Sequence, residues 1–106
     1  MIFVLNIGIM EKMLDRKYQN QIRDILKKGL GENARFFIFG SSLEDGKFSD
    51  VDVAIDGEIS DEKSINLVRE NLEESDLPYK IDLVYLKKTE KSFQDKILKG
   101  KILWLT

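Results

Sequence analysis

The sequence predicts an α+β domain, a small mixed β-sheet with helices packed mainly on one face. Three observations carry this. Residues 11–28 place apolar side chains at helical spacing, and residues 34–39 form a short apolar run of strand length. Residues 50–56 then alternate with a strict period of two. Continued along the chain, the order is helix, strand, loop, strand, helix, strand, helix. A length of 106 residues suits one compact domain, without an internal repeat or linker.

The first helix carries Leu14, Tyr18, Ile22, Ile25 and Leu26 on one stripe. Lys27 and Lys28 suit its C-terminus, and Gly29 or Gly31 supplies the stop. ARFFIF at 34–39 is too short for a helix and rich in aromatics, so it is expected as a strand buried on both faces, ending at Gly40. A turn-prone polar stretch follows over 41–49. In the next strand Asp50, Asp52, Ala54 and Asp56 share one face, and Val51, Val53 and Ile55 the other; Gly57 closes it.

Ser60 or Asp61 is placed to cap a second helix with Ile65, Val68 and Leu72 buried, confined to residues before Leu77 by Pro78. YKIDLVYL at 79–86 is a third strand, apolar except for Lys80 and Asp82. Thr89 is expected to cap a third helix that buries Phe93, Ile97 and Leu98 and stops at Gly100. Ile102, Leu103, Trp104 and Leu105 form an apolar tail, read as a short strand.

Residues 1–10 are read as an N-terminal apolar extension to a domain spanning 11–106. They form either a short strand or staple, or sequence upstream of the true start, with Met10 and Met13 as other initiators; the second reading is preferred. The extension lacks a basic flank and a small-residue cleavage site, and no run approaches the ~20 apolar residues of a membrane span. A cytoplasmic location is therefore expected.

With 42% hydrophobic residues the chain is too apolar to be disordered, and a net charge of -2 supplies no bulk positive footprint for nucleic acid. There is no Cys and no His. That removes disulfides, thiolate nucleophiles, Cys/His zinc sites and every imidazole base. Chemistry at neutral pH would fall to carboxylates, hydroxyls, Lys, Arg and a hard cation such as Mg²⁺ or Mn²⁺.

Asp50 and Asp52 point the same way from one strand, and Asp82 sits on another. Two such charges about 5 Å apart repel by roughly 3 kcal/mol at an effective dielectric near 20. A divalent cation would reverse the sign of that energy. The competing reading makes the pair ordinary solvent-facing strand residues and Asp82 an edge position or a partner of Lys80. Gly40 lets the chain turn sharply, so that the following peptide N–H groups and the Ser41 and Ser42 hydroxyls can cradle phosphate oxygens; Gly-Ser is also an ordinary turn.

Taken in order, FGSSLEDGKFSDVDVAI followed by KIDLV resembles the DNA polymerase beta-like nucleotidyltransferase superfamily, specifically its minimal nucleotidyltransferase branch. The resemblance covers nearly all of residues 11–105 and implies that family's fold. It implies Asp50 and Asp52 as metal ligands holding a nucleoside triphosphate. It implies Asp82 as a ligand of the catalytic metal that assists proton removal from the acceptor. Gly40 and Ser41 would hold the β- and γ-phosphates. The loop from Ser42 to Ser49 is shorter than the family's usual spacing, and Ser42 stands where relatives often carry a basic residue. Lys47 is the substitute within the loop, unless it is simply a solvated charge. The resemblance further implies ATP as substrate and a HEPN-domain toxin as partner, whose tyrosine receives AMP from the nucleotidyltransferase antitoxin. A binding-only antitoxin and transfer to a small molecule are the alternatives. No direct nucleic-acid contact is expected, and self-association stays open.

Overall fold

The structure, a computed structural model, describes residues 16–40, 50–59 and 61–105. The elements, in order, are α1 (Arg16–Leu30), β1 (Ala34–Phe39), β2 (Asp50–Gly57), α2 (Lys63–Glu74), β3 (Lys80–Tyr85), a 3₁₀ turn (Leu86–Lys88), α3 (Lys91–Lys99) and β4 (Ile102–Trp104). The predicted order is the observed one. Residues 1–15, including Leu14 and both candidate initiators, lie outside the described residues, as do residues 41–49.

The sheet order is β3-β2-β1-β4. β1 pairs antiparallel with both β2 and β4, whereas β2 and β3 run parallel. The sheet is therefore mixed, and α2 is the crossover that a parallel pair needs.

Helical spacing in α1 aligns Ile22, Leu26 and Leu30, and the same spacing in α2 aligns Ile65, Val68 and Leu72. All six are buried against Phe36, Ile38, Val51, Val53, Ile55 and Leu83 on one face of the sheet. Burying each such side chain contributes roughly 1.5–3 kcal/mol, which makes this two-layer contact the main stabilising feature. Helix α1 runs through Gly29 and stops at Gly31, whose φ of +94° and N–H to the Lys27 carbonyl (3.1 Å) end it in a left-handed cap. Gly29 instead serves packing, since a Cβ there would overlap Val68 Cγ2.

The N-cap of α2 is Glu62, which makes no side-chain cap bond; Asp61, the expected cap, stands one residue earlier, where its Oδ1 accepts the Lys63 N–H at 2.9 Å. Ser60, the other expected cap, lies outside the described residues. Helix α2 ends at Glu74, four residues before Pro78.

The opposite face is smaller. Phe37, Ala54, Leu86 and Ile97 form a second buried cluster there, with Phe39 and Ile102 against it. Two expectations for α3 are corrected. Thr89 is not its cap; the chain first makes the 3₁₀ turn, Thr89 Oγ1 donates back to the Leu86 carbonyl, and Glu90 precedes the helix. Of the three expected core residues only Ile97 is buried, while Phe93 and Leu98 are 41% and 50% exposed. A nine-residue helix over a face lined by Ala54 has only one position that reaches the cluster.

β1 is buried on both faces from Phe36 to Ile38, as expected, but Arg35 is exposed and pairs with Asp56 at 3.1 Å. The tail forms β4: Leu105 is buried and its N–H meets the Phe36 carbonyl at 3.0 Å, while Trp104 packs edge-on against Phe37. Among the described residues no helix is long and apolar enough to cross a membrane.

Candidate active site

The alternation of β2 sends Val51, Val53 and Ile55 into the helix-facing core. Asp50 and Asp52 therefore emerge on the other face, with Ala54 beyond them covered by the second cluster. The parallel pairing with β3 aligns Asp52 with Asp82 and Asp50 with Lys80. Register partners in adjacent strands lie about 4.8 Å apart and point to the same side, so the third acid stands directly beside the second. β3 is an edge strand, as the competing reading of Asp82 required, and Asp82 stands level with Asp52 and on the same face as Lys80.

β3 is held in this register by two contacts. Arg69 of α2 donates from Nη2 to the Leu83 carbonyl at 3.2 Å. In the same helix layer Tyr79, just before β3, meets Tyr18 of α1 edge-to-face, with ring centres 5.4 Å apart.

Asp52 is the electrostatic centre of the row. Partial burial, then the charge of Asp82, then that of Asp50 raise its pKa above the usual carboxylate range. A folded-state pKa above the unfolded one means that Asp52 favours folding only while protonated. Its favourable contribution is full below the unfolded pKa and is lost as pH rises through the raised folded value. In chelator, Asp52→Asn is therefore expected to melt above the parent at neutral pH, with the gap closing on acidification towards about pH 4. Melting curves across that range test the sign.

Gly40, at the end of β1, has φ of +90° and lies so close to Asp52 that a Cβ there would stand 2.9 Å from Oδ2. Gly40→Ala meets both the left-handed backbone and this carboxylate. The expected result is a loss of about 1–2 kcal/mol of stability from the backbone alone, with Asp52 displaced from the row. Denaturant titration reads the first effect and a transfer assay the second.

Ser41, Ser42 and Lys47 lie outside the described residues. Two recesses flank the acid row instead. One, about 410 Å³, opens beside β3 and is lined by Asp82, Lys80, Tyr79, Arg69 and Glu73 among others. The second, about 260 Å³, lies against Gly40 and Phe39 and is walled by residues of α3 and by Gly100 and Lys101, which lead into β4. Arg69, Lys96 and Lys101 were not singled out from sequence, and Phe93 was expected in the core instead. Phe93, Lys96 and Ile97 have the three-and-four spacing of one helix face, but only the pairing of β4 with β1 carries that face to Gly40.

The donor set suits a divalent cation: hard carboxylate oxygens on one face, in mutual repulsion, with a half-buried Asp52 whose charge is disfavoured until a positive partner arrives. As they stand, no three acidic side chains among the described residues are gathered closely enough to hold a metal ion.

The family profile described as Polymerase beta, Nucleotidyltransferase matches residues 20–106. The chain belongs to the polymerase beta nucleotidyltransferase family. Comparison with curated proteins finds no match. For a polymerase beta nucleotidyltransferase, the mixed sheet and the neighbouring glycine bend are the expected scaffold, and the general class of reaction is nucleotidyl transfer.

Proposed function

We propose that this chain is a metal-dependent nucleotidyltransferase that moves a nucleoside monophosphate, AMP from ATP, onto a hydroxyl of a partner protein, and that it acts as the antitoxin of a HEPN-domain toxin. The observation that carries the catalytic part is the register of β3, which sets Asp82 beside Asp52 on the face shared with Asp50. The choice of ATP and of a HEPN-domain partner draws on the resemblance of the Gly-Ser, D-x-D and later Asp pattern to minimal nucleotidyltransferases.

Asp50, Asp52 and Asp82 would hold the cation. A cation held there would offset their charge and supply stabilisation of the negative charge on the reacting phosphate oxygens. The protein's own part is positional. Gly40, with no side chain, lets the end of β1 approach the Asp52 carboxylate closely. Asp82 borders the recess on the β3 side, where an acceptor hydroxyl can hydrogen-bond to its carboxylate and give up its proton there. The acceptor oxygen forms a new bond to the α-phosphorus as the bond to the bridging oxygen of pyrophosphate breaks, and the proton passes on to solvent.

A second reading, an antitoxin that binds its partner without turnover, is favoured by the open spacing of the three acids. Labelled ATP, Mg²⁺ and the product of the adjacent gene separate the two. Label on the partner, absent with Asp50→Ala or Asp82→Ala, is expected; tight binding without label would leave only the second reading. Millimolar Mg²⁺ or Mn²⁺ is further expected to raise the melting temperature of the parent, because a ligand of the native state stabilises it by mass action. Asp50→Asn/Asp52→Asn should respond little, and an equal response from both proteins would count against the cation site.

A further inference from the structure

The recess on the Gly40 side has the chemistry of a polyphosphate seat. Its floor is Phe39 and Ile97, its inner edge Gly40, and its rim Phe93, Lys96 and Lys101. The register Phe39↔Ile102 sets Lys101 next to Gly40 across the β1–β4 pair, while Lys96 reaches the same space from α3. A helix C-terminus by itself attracts lysines, and that accounts for Lys96 and Lys99 but not for Lys101, which lies past the helix. Among the described residues no ion pair engages Lys96 or Lys101.

Charge is thus divided across Gly40. Three carboxylates lie on the β2–β3 side, and two ammonium groups lie on the α3–β4 side. A ligand that spans the bend with a cation at one end and anionic oxygens at the other satisfies both. Phe93 completes the pattern. It is 41% exposed, one helical turn from the buried Ile97, so its ring forms a wall of the recess and not part of the core. An aromatic face beside cations suits a ribose or base by packing or stacking, which is tolerant of base identity. The volume of about 260 Å³ admits part of a nucleotide, with the remainder lying over the acid row.

We propose that Lys96 and Lys101 hold the phosphate tail of a nucleoside triphosphate and that Phe93 packs against its ribose and base, the α-phosphorus lying towards Asp52. This assignment rests on the nucleotidyltransferase reading and names the residues that seat its substrate.

Isothermal titration of ATP with Mg²⁺, and of inorganic tripolyphosphate with Mg²⁺, tests it on the full chain. Lys96→Ala/Lys101→Ala is expected to weaken both ligands about tenfold or more, as loss of charge-assisted hydrogen bonds requires. Phe93→Ala should weaken ATP and leave tripolyphosphate unchanged. Lys99→Ala, on the same helix but outside the recess, should change neither, and unchanged melting temperatures would show that the variants fold. If the parent binds ATP and the double lysine variant binds it equally well, the seat is elsewhere and the nucleotidyltransferase reading stands. Loss of tripolyphosphate binding with Lys99→Ala to the same degree would reduce the effect to general surface charge and overturn the assignment. A parent that binds neither ligand overturns the nucleotidyltransferase reading and this assignment with it.

Discussion

Asp52→Asn is expected to reduce nucleotidyl transfer by roughly 10²–10⁴-fold, the range typical of losing a group that acts on the reacting atoms, while leaving the folded protein in chelator at least as stable as the parent. The two halves of this result have one origin. Asp52 stands between Asp50 on its own strand and Asp82 on the next, and beside the Gly40 bend. Burial and two like charges oppose its ionisation, so its charge is a cost to the empty fold. Such a position is maintained against stability, which is what a ligand-holding group requires and a structural one does not. Initial rates with labelled ATP, paired with melting curves in chelator, measure both halves. An unchanged rate removes Asp52 from the reaction. A large loss of stability in chelator would instead make it a structural residue.

The largest effect on folding is expected from Phe36→Ala. Phe36 is fully buried on the central strand, between the sheet and the α1–α2 layer, and its carbonyl receives the Leu105 N–H that fastens the tail. Truncating such a side chain costs about 3–5 kcal/mol, because the lost transfer energy is joined by that of the cavity left behind. Against a total stability of about 5–15 kcal/mol this is a large fraction, and the melting temperature should fall by roughly 12 °C or more. Leu67, 56% exposed on the outside of α2, provides the contrast: Leu67→Ala should stay within about 0.5 kcal/mol. Urea titration of both variants tests the comparison, and similar small losses would show that Phe36 is not central to the core.

Much of the fold was legible because its periods are clean. Val51, Val53 and Ile55 against Asp50 and Asp52 permit one strand orientation, and Ile65, Val68 and Leu72 permit one helix face. What failed lay where local signals compete with tertiary ones. Thr89 has the chemistry of a cap, but the 3₁₀ turn after β3 uses its hydroxyl first. Phe93 and Leu98 have core composition on a helix whose sheet face has room for Ile97 alone.

The site was legible in part, for a similar reason. Spacing along β2 puts two acids on one side whatever the rest of the chain does. That Asp82 falls beside Asp52 depends on the register of a parallel pair joined through a helix, which no local pattern encodes. The recess residues Lys96 and Lys101 were hidden further still. Their relation to Gly40 exists only because three residues at the far end of the chain pair with β1.

The alignment of β3 with β2 makes changes of length more damaging than exchanges of residue. Losing the Ile81 codon while the pairing of Lys80 with Asp50 is kept would move the acid into the Ile81 position and turn it through to the helical side, beside Val51. Every residue type the chemistry calls for would still be encoded, and a protein of nearly normal composition would be mute. In the turn at 75–78, by contrast, a one-codon loss leaves the parity of the strand untouched and need only shorten a surface connection. Genetic variation in this chain should therefore be judged by odd and even position before it is judged by side chain.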